Sequence, residues 1–266
     1  MLHKSRDESL HKWLFSLLVP LLAPLLLPLL AHTAAAQEAS PSQTNTVVLA
    51  VEDSWPPYAG TKGQGIATNI IEKALAEVGI RLIIKVSPYA RVLDEVEKGI
   101  VVGGYNVTRQ ASTETKFLFG QQELLSAQAS FYFSSKNTQV QEYKTINDIP
   151  DGTHLGLIID YEYGDLFDQH KHRFKQIRVS KQTQIINMLK TGRLDSAIMF
   201  DAVAAHTLKA MKLKPKSILK GPLNHTSDIY VAFSLQHEDA QYFSDKLDQG
   251  LAAIKANGQY EKLLEQ

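Results

Sequence analysis

Continuous apolar runs alternate with helix-spaced apolar residues through the first half of the chain. Residues 47–51 form a run typical of a strand that is buried on both faces. The next apolar residues follow the period of a helix, which ends at Gly79: Ile70, Ile71, Ala74, Leu75 and Val78. The pattern then predicts a strand over 81–86, a helix over 89–98 and a strand over 100–107. Strands and helices that alternate in this way form a parallel sheet with helical crossovers.

A second set of strands and helices begins near His154 and repeats the pattern of the first. A shift of 93 residues superimposes two helix-to-glycine segments, pairing Val92, Leu93, Val96 and Gly99 with Ile185, Ile186, Leu189 and Gly192. Because the similarity is one of pattern, it also fits two α/β units of ordinary composition that are not repeats. We predict an α/β fold of two Rossmann-like lobes.

The first 36 residues have the organisation of a secretory signal peptide. Basic residues precede an apolar run over 13–31, and the small-residue site Ala-Ala-Ala follows at 34–36. Three prolines at four-residue spacing interrupt the run and would each remove a helix hydrogen bond. We predict cleavage after Ala36, with an uncleaved membrane anchor as the alternative. The polar segment 37–46 is then a flexible leader.

The composition excludes several classes of protein. Over 266 residues, 28 lysines and arginines balance 28 aspartates and glutamates, so we predict no nucleic-acid partner, which would need a basic surface. The chain has no cysteine, which rules out disulfides, thiolate metal sites and a lipid-anchored N-terminal cysteine. His170 and His172 lie in a polar stretch typical of a solvated surface, and we predict neither a metal nor a cofactor. An exported chain without a lipid anchor is expected to move freely in the periplasm.

Candidate binding residues follow the predicted strands. In open parallel sheets, ligands bind beyond the carboxyl ends of the strands, where helix N-termini and free loop amides converge. Aromatic, amide, hydroxyl and charged side chains occupy these positions, which are residues 52–58, 106–109, 160–163 and 200–201. A cleft with an arginine on one wall and an aspartate on the other suits a small zwitterion, because its carboxylate and ammonium each need a partner away from water. Aromatic walls would cover the rest of such a solute.

Several short segments of the mature chain, taken in order, resemble the family 3 solute-binding proteins, the extracytoplasmic receptors of polar amino-acid ABC transporters. These segments are Trp55-Pro56-Pro57-Tyr58, Pro88-Tyr89-Ala90-Arg91, Thr108-Arg109, Tyr161-Glu162-Tyr163-Gly164, Gly192-Arg193-Leu194-Asp195-Ser196-Ala197 and Asn257-Gly258-Gln259-Tyr260. The similarity rests on their order and spacing over residues 47–266. It implies the periplasmic binding protein-like II fold, in which two α/β lobes are joined by two crossing segments.

The resemblance also implies boundaries for the lobes. The first lobe would comprise residues 47–132 and 232–266, so that the C-terminal helices complete it. The second lobe would comprise residues 133–231. The crossing segments are expected near 131–135 and 228–233.

Carried over residue by residue, the resemblance implies five ligand contacts. Asp201 corresponds to the family acid that pairs with the ligand ammonium, although a cap of the following helix is an alternative role. Trp55 and Tyr58 correspond to the aromatic wall of the family site. Asn106 and Thr108 stand where the family presents amides and hydroxyls to the ligand carboxylate.

Four further candidates each have two alternative roles, and three of them, Arg109, Tyr161 and Tyr163, reflect departures from the family pattern. The carboxylate-binding arginine of the family usually lies a few residues after the threonine, where this chain has Ala111 and polar neighbours. Arg109 could replace it or lie on the surface, and Arg91 on a helix face has the same two alternatives. Tyr161 and Tyr163 replace small residues and predict a narrower, more aromatic cleft, or packing between the lobes.

The resemblance implies a periplasmic protein that captures a small polar solute, an amino acid or a related compound, and delivers it to an ABC transporter permease in the inner membrane. It would act as a monomer and without catalysis, and the lobes would close over the solute by a hinge motion. Two alternatives remain: a dehydratase-like periplasmic enzyme, and a sensor that presents its ligand to a membrane kinase or cyclase. The enzyme would need a carboxyl group with a shifted pKa near the cleft, for which the candidates are Glu52, Asp53, Asp160 and Glu162.

Overall fold

The computed structural model describes residues 45–265. The predicted signal peptide, residues 1–36, and most of the predicted leader, residues 37–46, lie outside this range. The strands are β1 (Thr46–Glu52), β2 (Arg81–Ser87), β3 (Gly103–Thr108), β4 (Phe117–Phe119), β5 (Leu125–Ser134), β6 (His154–Ile158), β7 (Lys175–Val179), β8 (Ser196–Phe200) and β9 (Ile218–Ser234). The helices are α1 (Ile66–Glu77), α2 (Tyr89–Glu97), α3 (Ala111–Glu114), α4 (Asp165–His170), α5 (Gln182–Thr191), α6 (Asp201–Ala210), α7 (Ala240–Ala256) and α8 (Gln259–Leu264).

The strands form one mixed sheet in the order β2-β1-β3-β9-β5-β8-β6-β7, with β4 paired to β9. Residues 46–108, which we call the first α/β unit, contain β1 between its parallel neighbours β2 and β3. Residues 154–210, the second α/β unit, contain β6 between its parallel neighbours β7 and β8. The α/β fold class predicted from the alternating pattern is therefore confirmed.

Two long strands, β5 and β9, connect the two units. They pair antiparallel with each other, and each then pairs with a strand of one unit: β9 with β3, and β5 with β8. These strands overlap the crossing segments expected near 131–135 and 228–233. The exact lobe boundaries stay a prediction.

The core of the first unit is covered by α1 and the C-terminal helix α7. Helix α1 buries a stripe of apolar residues that includes Ile70, Ile71 and Ala74. Helix α7 packs against α1 so closely that a Cβ atom at Gly250 would lie 2.0 Å from the carbonyl oxygen of Ala74. The two helices therefore meet backbone to backbone at this glycine.

The third predicted strand, residues 100–107, begins three residues later than the pattern suggests, at Gly103. Gly99 adopts a φ of 69°, and the amide of Ile100 then donates to the carbonyl of Glu95. The apolar Ile100 is consequently part of the turn that ends α2, and its side chain is 60% exposed. The apolar Ile100, which resembles the start of a strand in the sequence, therefore belongs to the C-terminal turn of α2.

Candidate functional site

The loop after β1 directs an indole ring toward the second α/β unit. Trp55 and Ala59 form an isolated antiparallel bridge, and the peptide bond between Pro56 and Pro57 is cis. The Trp55 side chain is only 1% exposed. Its ring lies 4.4 Å from that of Tyr58 and 5.1 Å, edge on, from that of Phe200 at the end of β8. The predicted aromatic wall is therefore a contact between the two units.

A small void lies where the carboxyl ends of strands from both units meet. Its volume is about 10 Å³, which is close to the space that a single water molecule needs. Four of its lining residues were predicted from the sequence as ligand contacts: Trp55, Asn106, Thr108 and Tyr161. Of the other four, Glu52, Glu162 and Phe200 lie at the predicted strand-end positions without having been named as contacts, and Tyr89 lies outside those positions. The structure thus brings part of the predicted site together and adds two carboxyl groups to it.

Asn106 has an unusual backbone and an unsatisfied side chain. The register of β3 against β9 shifts between Tyr105 and Val107, so Asn106 is the extra residue of a β-bulge, with a φ of 70°. Its side chain is 4% exposed, and neither Nδ2 nor Oδ1 has a hydrogen-bond partner. Bulges redirect side chains next to binding sites, and a buried amide without partners costs about 1–3 kcal/mol. This combination is typical of a group that binds a ligand.

Two further buried nitrogen atoms near the void have no hydrogen-bond partner. One is Nε1 of Trp55, and the other is Nε2 of His225, whose ring lies 5.8 Å from that of Phe200. Burial lowers the pKa of His225 to about 4, so its imidazole is neutral at physiological pH. The surroundings of the void are therefore polar but carry no positive charge from this histidine.

Each α/β unit donates a tyrosine hydroxyl to a glutamate of the other unit. The Tyr161 hydroxyl donates to Glu52, and the Tyr89 hydroxyl donates to Oε2 of Glu162 over 2.6 Å. Burial is the main cause that raises the pKa of Glu52 to about 8, and the nearby Glu162 adds to it. Burial likewise raises the pKa of Glu162 to about 7. Both carboxyl groups can consequently hold a proton near neutral pH.

Asp201 lies near the aromatic wall but does not line the void. It is the first residue of α6, and its carboxylate accepts hydrogen bonds from Tyr132 at 2.9 Å and Ser130 at 3.2 Å. Lys220 forms an ion pair with it at 2.7 Å. The charge of Asp201 adds to burial in raising the pKa of Tyr58. Three protein groups thus already bind the Asp201 carboxylate.

Tyr163 lies behind Tyr161 in the second unit. Its hydroxyl accepts a hydrogen bond from the amide of Ile158 at 2.7 Å. Its ring lies 5.6 Å from that of Phe167 and 6.4 Å from that of Tyr161. These contacts make Tyr163 a support for the wall that Tyr161 forms.

The structure does not bring the two predicted arginines to the void. The Arg109 guanidinium is exposed, donates from Nε to Glu114 over 2.7 Å, and lies between the rings of Phe119 and Tyr230. Arg91 is exposed on α2. A solute in the void would therefore not meet either guanidinium in this arrangement.

A larger cavity of about 430 Å³ adjoins the void and shares Tyr161, Glu162 and no other residue with it. Acidic side chains outnumber basic ones along its walls by five to three: Asp94, Glu97, Asp160, Glu162 and Asp168 against Lys116, Lys171 and Arg178. This cavity borders the void, and its acidic groups still outnumber its basic groups when Glu162 is protonated.

The strand-end positions predicted from the sequence include seven of the eight residues that line the void, and Tyr89 is the exception. Tyr89 belongs to a segment that carried the family resemblance, and Glu52 directly follows a fully apolar strand. Glu52 and Glu162 were considered only as candidates for an enzyme. Within residues 45–265, no group of three His, Cys, Asp or Glu side chains is placed to hold a metal ion. In the same part of the chain, no helix combines the length and apolar character needed to cross a bilayer.

No protein-family model and no curated protein sequence matches this chain. Solved structures do match its fold. A histidine kinase sensor domain with similarity to periplasmic binding proteins has a TM-score of 0.72 at 13% identity, over 84% of this chain and 95% of that one. AbpA of Streptococcus pneumoniae, an amino acid ABC transporter substrate-binding protein bound to L-arginine, has a TM-score of 0.68 at 18% identity, over 83% and 93%.

A third structure is the ancestral amino acid-binding protein AncCDT-1, a precursor of cyclohexadienyl dehydratase. Its TM-score is 0.68 at 14% identity, over 83% of this chain and 94% of that one. Together these structures show that the chain has the type II periplasmic binding protein fold. The three structures with this fold are a sensor domain, an amino acid ABC transporter substrate-binding protein and an ancestral precursor of an enzyme. The fold alone therefore does not decide among these roles.

Proposed function

We propose that this chain is an exported solute-binding protein that encloses a small polar solute, an amino acid or a related amine, between its two α/β units. The observation that carries the proposal is Asn106, whose buried amide has no protein partner and borders a void formed by both units. A solute that hydrogen-bonds to this amide would remove the cost of leaving it unsatisfied. The solute contacts are Trp55, Asn106, Thr108 and Tyr161, with Tyr58 and Tyr163 behind them.

The solute would be captured by closure of the two units. The void holds only about 10 Å³, so a larger molecule enters when the units part. The bonds from Tyr161 to Glu52 and from Tyr89 to Glu162 join the units and form only when they are together. A solute that completes its hydrogen bonds only in the closed form shifts the equilibrium toward closure.

The proposed partner is an ABC transporter permease in the inner membrane, to which the chain would deliver its solute as a periplasmic monomer. The predicted signal peptide and the shared fold with AbpA support this assignment. A ligand-presenting sensor is the alternative partner arrangement, because a histidine kinase sensor domain has the same fold.

A thermal-shift panel of amino acids, amines and small carboxylates on residues 37–266 tests the proposed function. A true ligand at a hundred times its dissociation constant adds about 2.7 kcal/mol of stability, which raises the melting temperature by about 5–10 °C. The variant Asn106→Gly can adopt the same positive φ but lacks the side-chain amide, so it should lose the ligand-induced rise in melting temperature. The matched control Lys212→Gly changes another residue with positive φ, 55°, on the exposed surface and should keep it.

Two outcomes of the panel decide between assignments. Absence of any shift across the panel would contradict solute binding. For Asp201→Ala we expect a smaller loss than for Asn106→Gly, because Lys220, Tyr132 and Ser130 already bind the Asp201 carboxylate. A complete loss in Asp201→Ala would instead restore Asp201 as the ammonium contact.

A second candidate function is a dehydratase-like enzyme, and the two raised pKa values favour it. A protonated carboxyl group with a pKa near 7, as for Glu162, can donate a proton to a leaving hydroxyl group. Incubation of each panel ligand with the protein, followed by mass spectrometry, tests this function. A new product that disappears in Glu162→Gln would favour the enzyme, whereas unchanged ligand would support the binding protein.

A further inference from the structure

The charge of the void differs from that of a site for a zwitterion. Its described lining contains two carboxyl groups, Glu52 and Glu162, and no lysine, arginine or histidine. The aromatic rings of Trp55, Tyr161 and Phe200 form the apolar part of the lining. Such a site offers acceptors and π-faces to a positive charge but has no cation for a carboxylate.

We propose that the solute is a small organic cation that carries a primary ammonium group and a neutral oxygen acceptor and has no carboxylate group. This inference rests on the proposed function and narrows its class of solute. Amino-acid amides and amino alcohols have this chemistry.

The ammonium group is accepted by Glu52 and Glu162. Each glutamate binds one tyrosine hydroxyl, and an ionised carboxylate can accept about four hydrogen bonds in total. An ammonium with three donors can therefore bind both carboxylates without displacing either tyrosine. Faces of the neighbouring aromatic rings add cation–π attraction. Burial of two acids beside each other is unfavourable, as their raised pKa values indicate, and a bound cation removes that cost.

The neutral oxygen is bound by Asn106 and Trp55. The Asn106 Nδ2 and Trp55 Nε1 atoms are buried donors without partners, and both residues line the void. These donors are uncharged, which suits a hydroxyl or an amide carbonyl. A carboxylate beside Glu52 and Glu162 would need a cation, but Arg109 is paired with Glu114 and lies exposed. An amide is therefore preferred to the corresponding acid.

The charges of the cavity next to the void support the same charge class for the solute. The adjoining cavity, which shares Tyr161 and Glu162 with the void, has five acidic and three basic side chains in its lining. A cleft with an excess of one charge raises the local concentration of the opposite charge. The void, at about 10 Å³, has the size of one ammonium group. The neutral oxygen and the rest of the solute therefore fit only when the two units stand slightly further apart than in this arrangement.

Calorimetric titration of residues 37–266 with matched pairs of compounds tests the inference. Each of the common amino acids is compared with its own α-amide, so that the side chain is constant and only the carboxylate changes. We expect the best amide to bind at least about tenfold more tightly than its acid, because the acid would place a carboxylate beside Glu52 and Glu162 without a cation to pair with it. Glu52→Gln and Glu162→Gln should each weaken the amide by at least about tenfold, whereas the exposed control Glu142→Gln should not.

The possible results separate the two proposals. An acid that binds as tightly as its amide would overturn the inference and leave the proposed function standing. Binding of neither member of any pair would overturn both. The ratio of amide to acid affinity in the unmodified chain decides the inference even if a glutamine variant fails to fold.

Discussion

At the scale of single residues, the site holds two buried acids, Glu52 and Glu162, that accept hydrogen bonds from tyrosine hydroxyls. Glu52 and Glu162 have pKa values raised to about 8 and about 7, mainly by burial. The titratable and charged groups around them are Asp53, Tyr89, Asp160, Tyr161, Tyr163, Asp168 and Arg178. Near neutral pH, the folded chain therefore holds protons on Glu52 and Glu162 that the unfolded chain has already released.

This difference predicts that the folded protein loses stability as the pH rises from 6.5 to 8. In that interval the native state binds more protons than the unfolded state, so the free energy of unfolding falls, by about 2 kcal/mol for the two groups together. His225, with its pKa lowered to about 4, acts in the opposite direction and below this interval. The melting temperature should fall by about 5 °C.

Substitution by glutamine shows whether a buried glutamate causes the loss of stability with rising pH. Glu52→Gln should make the fall between pH 6.5 and 8 clearly smaller, whereas the exposed Glu142→Gln should leave it unchanged. A wild-type melting temperature that stays constant or rises over this interval would contradict the protonated state of the two buried acids.

The sequence could predict which residues lie at the strand ends but not how their side chains pair. Asn106 was predictable as a contact because it lies at the carboxyl end of β3, and asparagine tolerates positive φ. The bonds from Tyr161 to Glu52 and from Tyr89 to Glu162 join residues 109 and 73 positions apart, which no local pattern reports. Arg109 pairs with Glu114, only five residues away, and does not line the void although it follows Thr108. Its role as a ligand contact stays a prediction.

At the scale of elements, the helices and parallel strands were predictable and the long connecting strands were not. The parallel strands are continuous apolar runs, whose burial on both faces gives a clear signal. The strand β9 contains Gly221, Pro222 and Asn224, residue types that usually indicate turns, and its pairing with β5 shifts register nearby. Its strand conformation depends on neighbours on both sides, β3 and β5, which are distant in sequence.

The contact between α1 and α7 provides a test at this scale. Gly250→Ala would place a Cβ atom 2.0 Å from the carbonyl oxygen of Ala74, so the two helices must separate. We predict a loss of about 2–3 kcal/mol and a melting temperature lower by about 5–10 °C. Gly60→Ala is the matched control, since its Cβ would lie 3.2 Å from the flexible end of the Gln64 side chain and 3.5 Å, an ordinary contact distance, from the Gln64 carbonyl oxygen. Equal melting temperatures for the two variants would contradict the close approach of the helices.

At the scale of the whole molecule, two α/β units meet around the void. The fold class was accessible from the sequence because the strand–helix alternation occurs twice along the chain. The closed arrangement was not, since it depends on how Trp55 of the first unit packs against Phe200 of the second. Under the proposed function, binding and closure are coupled, and a solute at the void should stabilise the compact form.

The most direct test of this account is small-angle X-ray scattering of residues 37–266 during titration with the tightest ligand from the thermal-shift panel. We predict that the radius of gyration decreases and reaches a constant value at one equivalent of ligand. Asn106→Gly should show no decrease at the same concentration. A radius of gyration that does not change, under conditions where calorimetry shows saturation, would contradict the claim that the solute is enclosed between the two units.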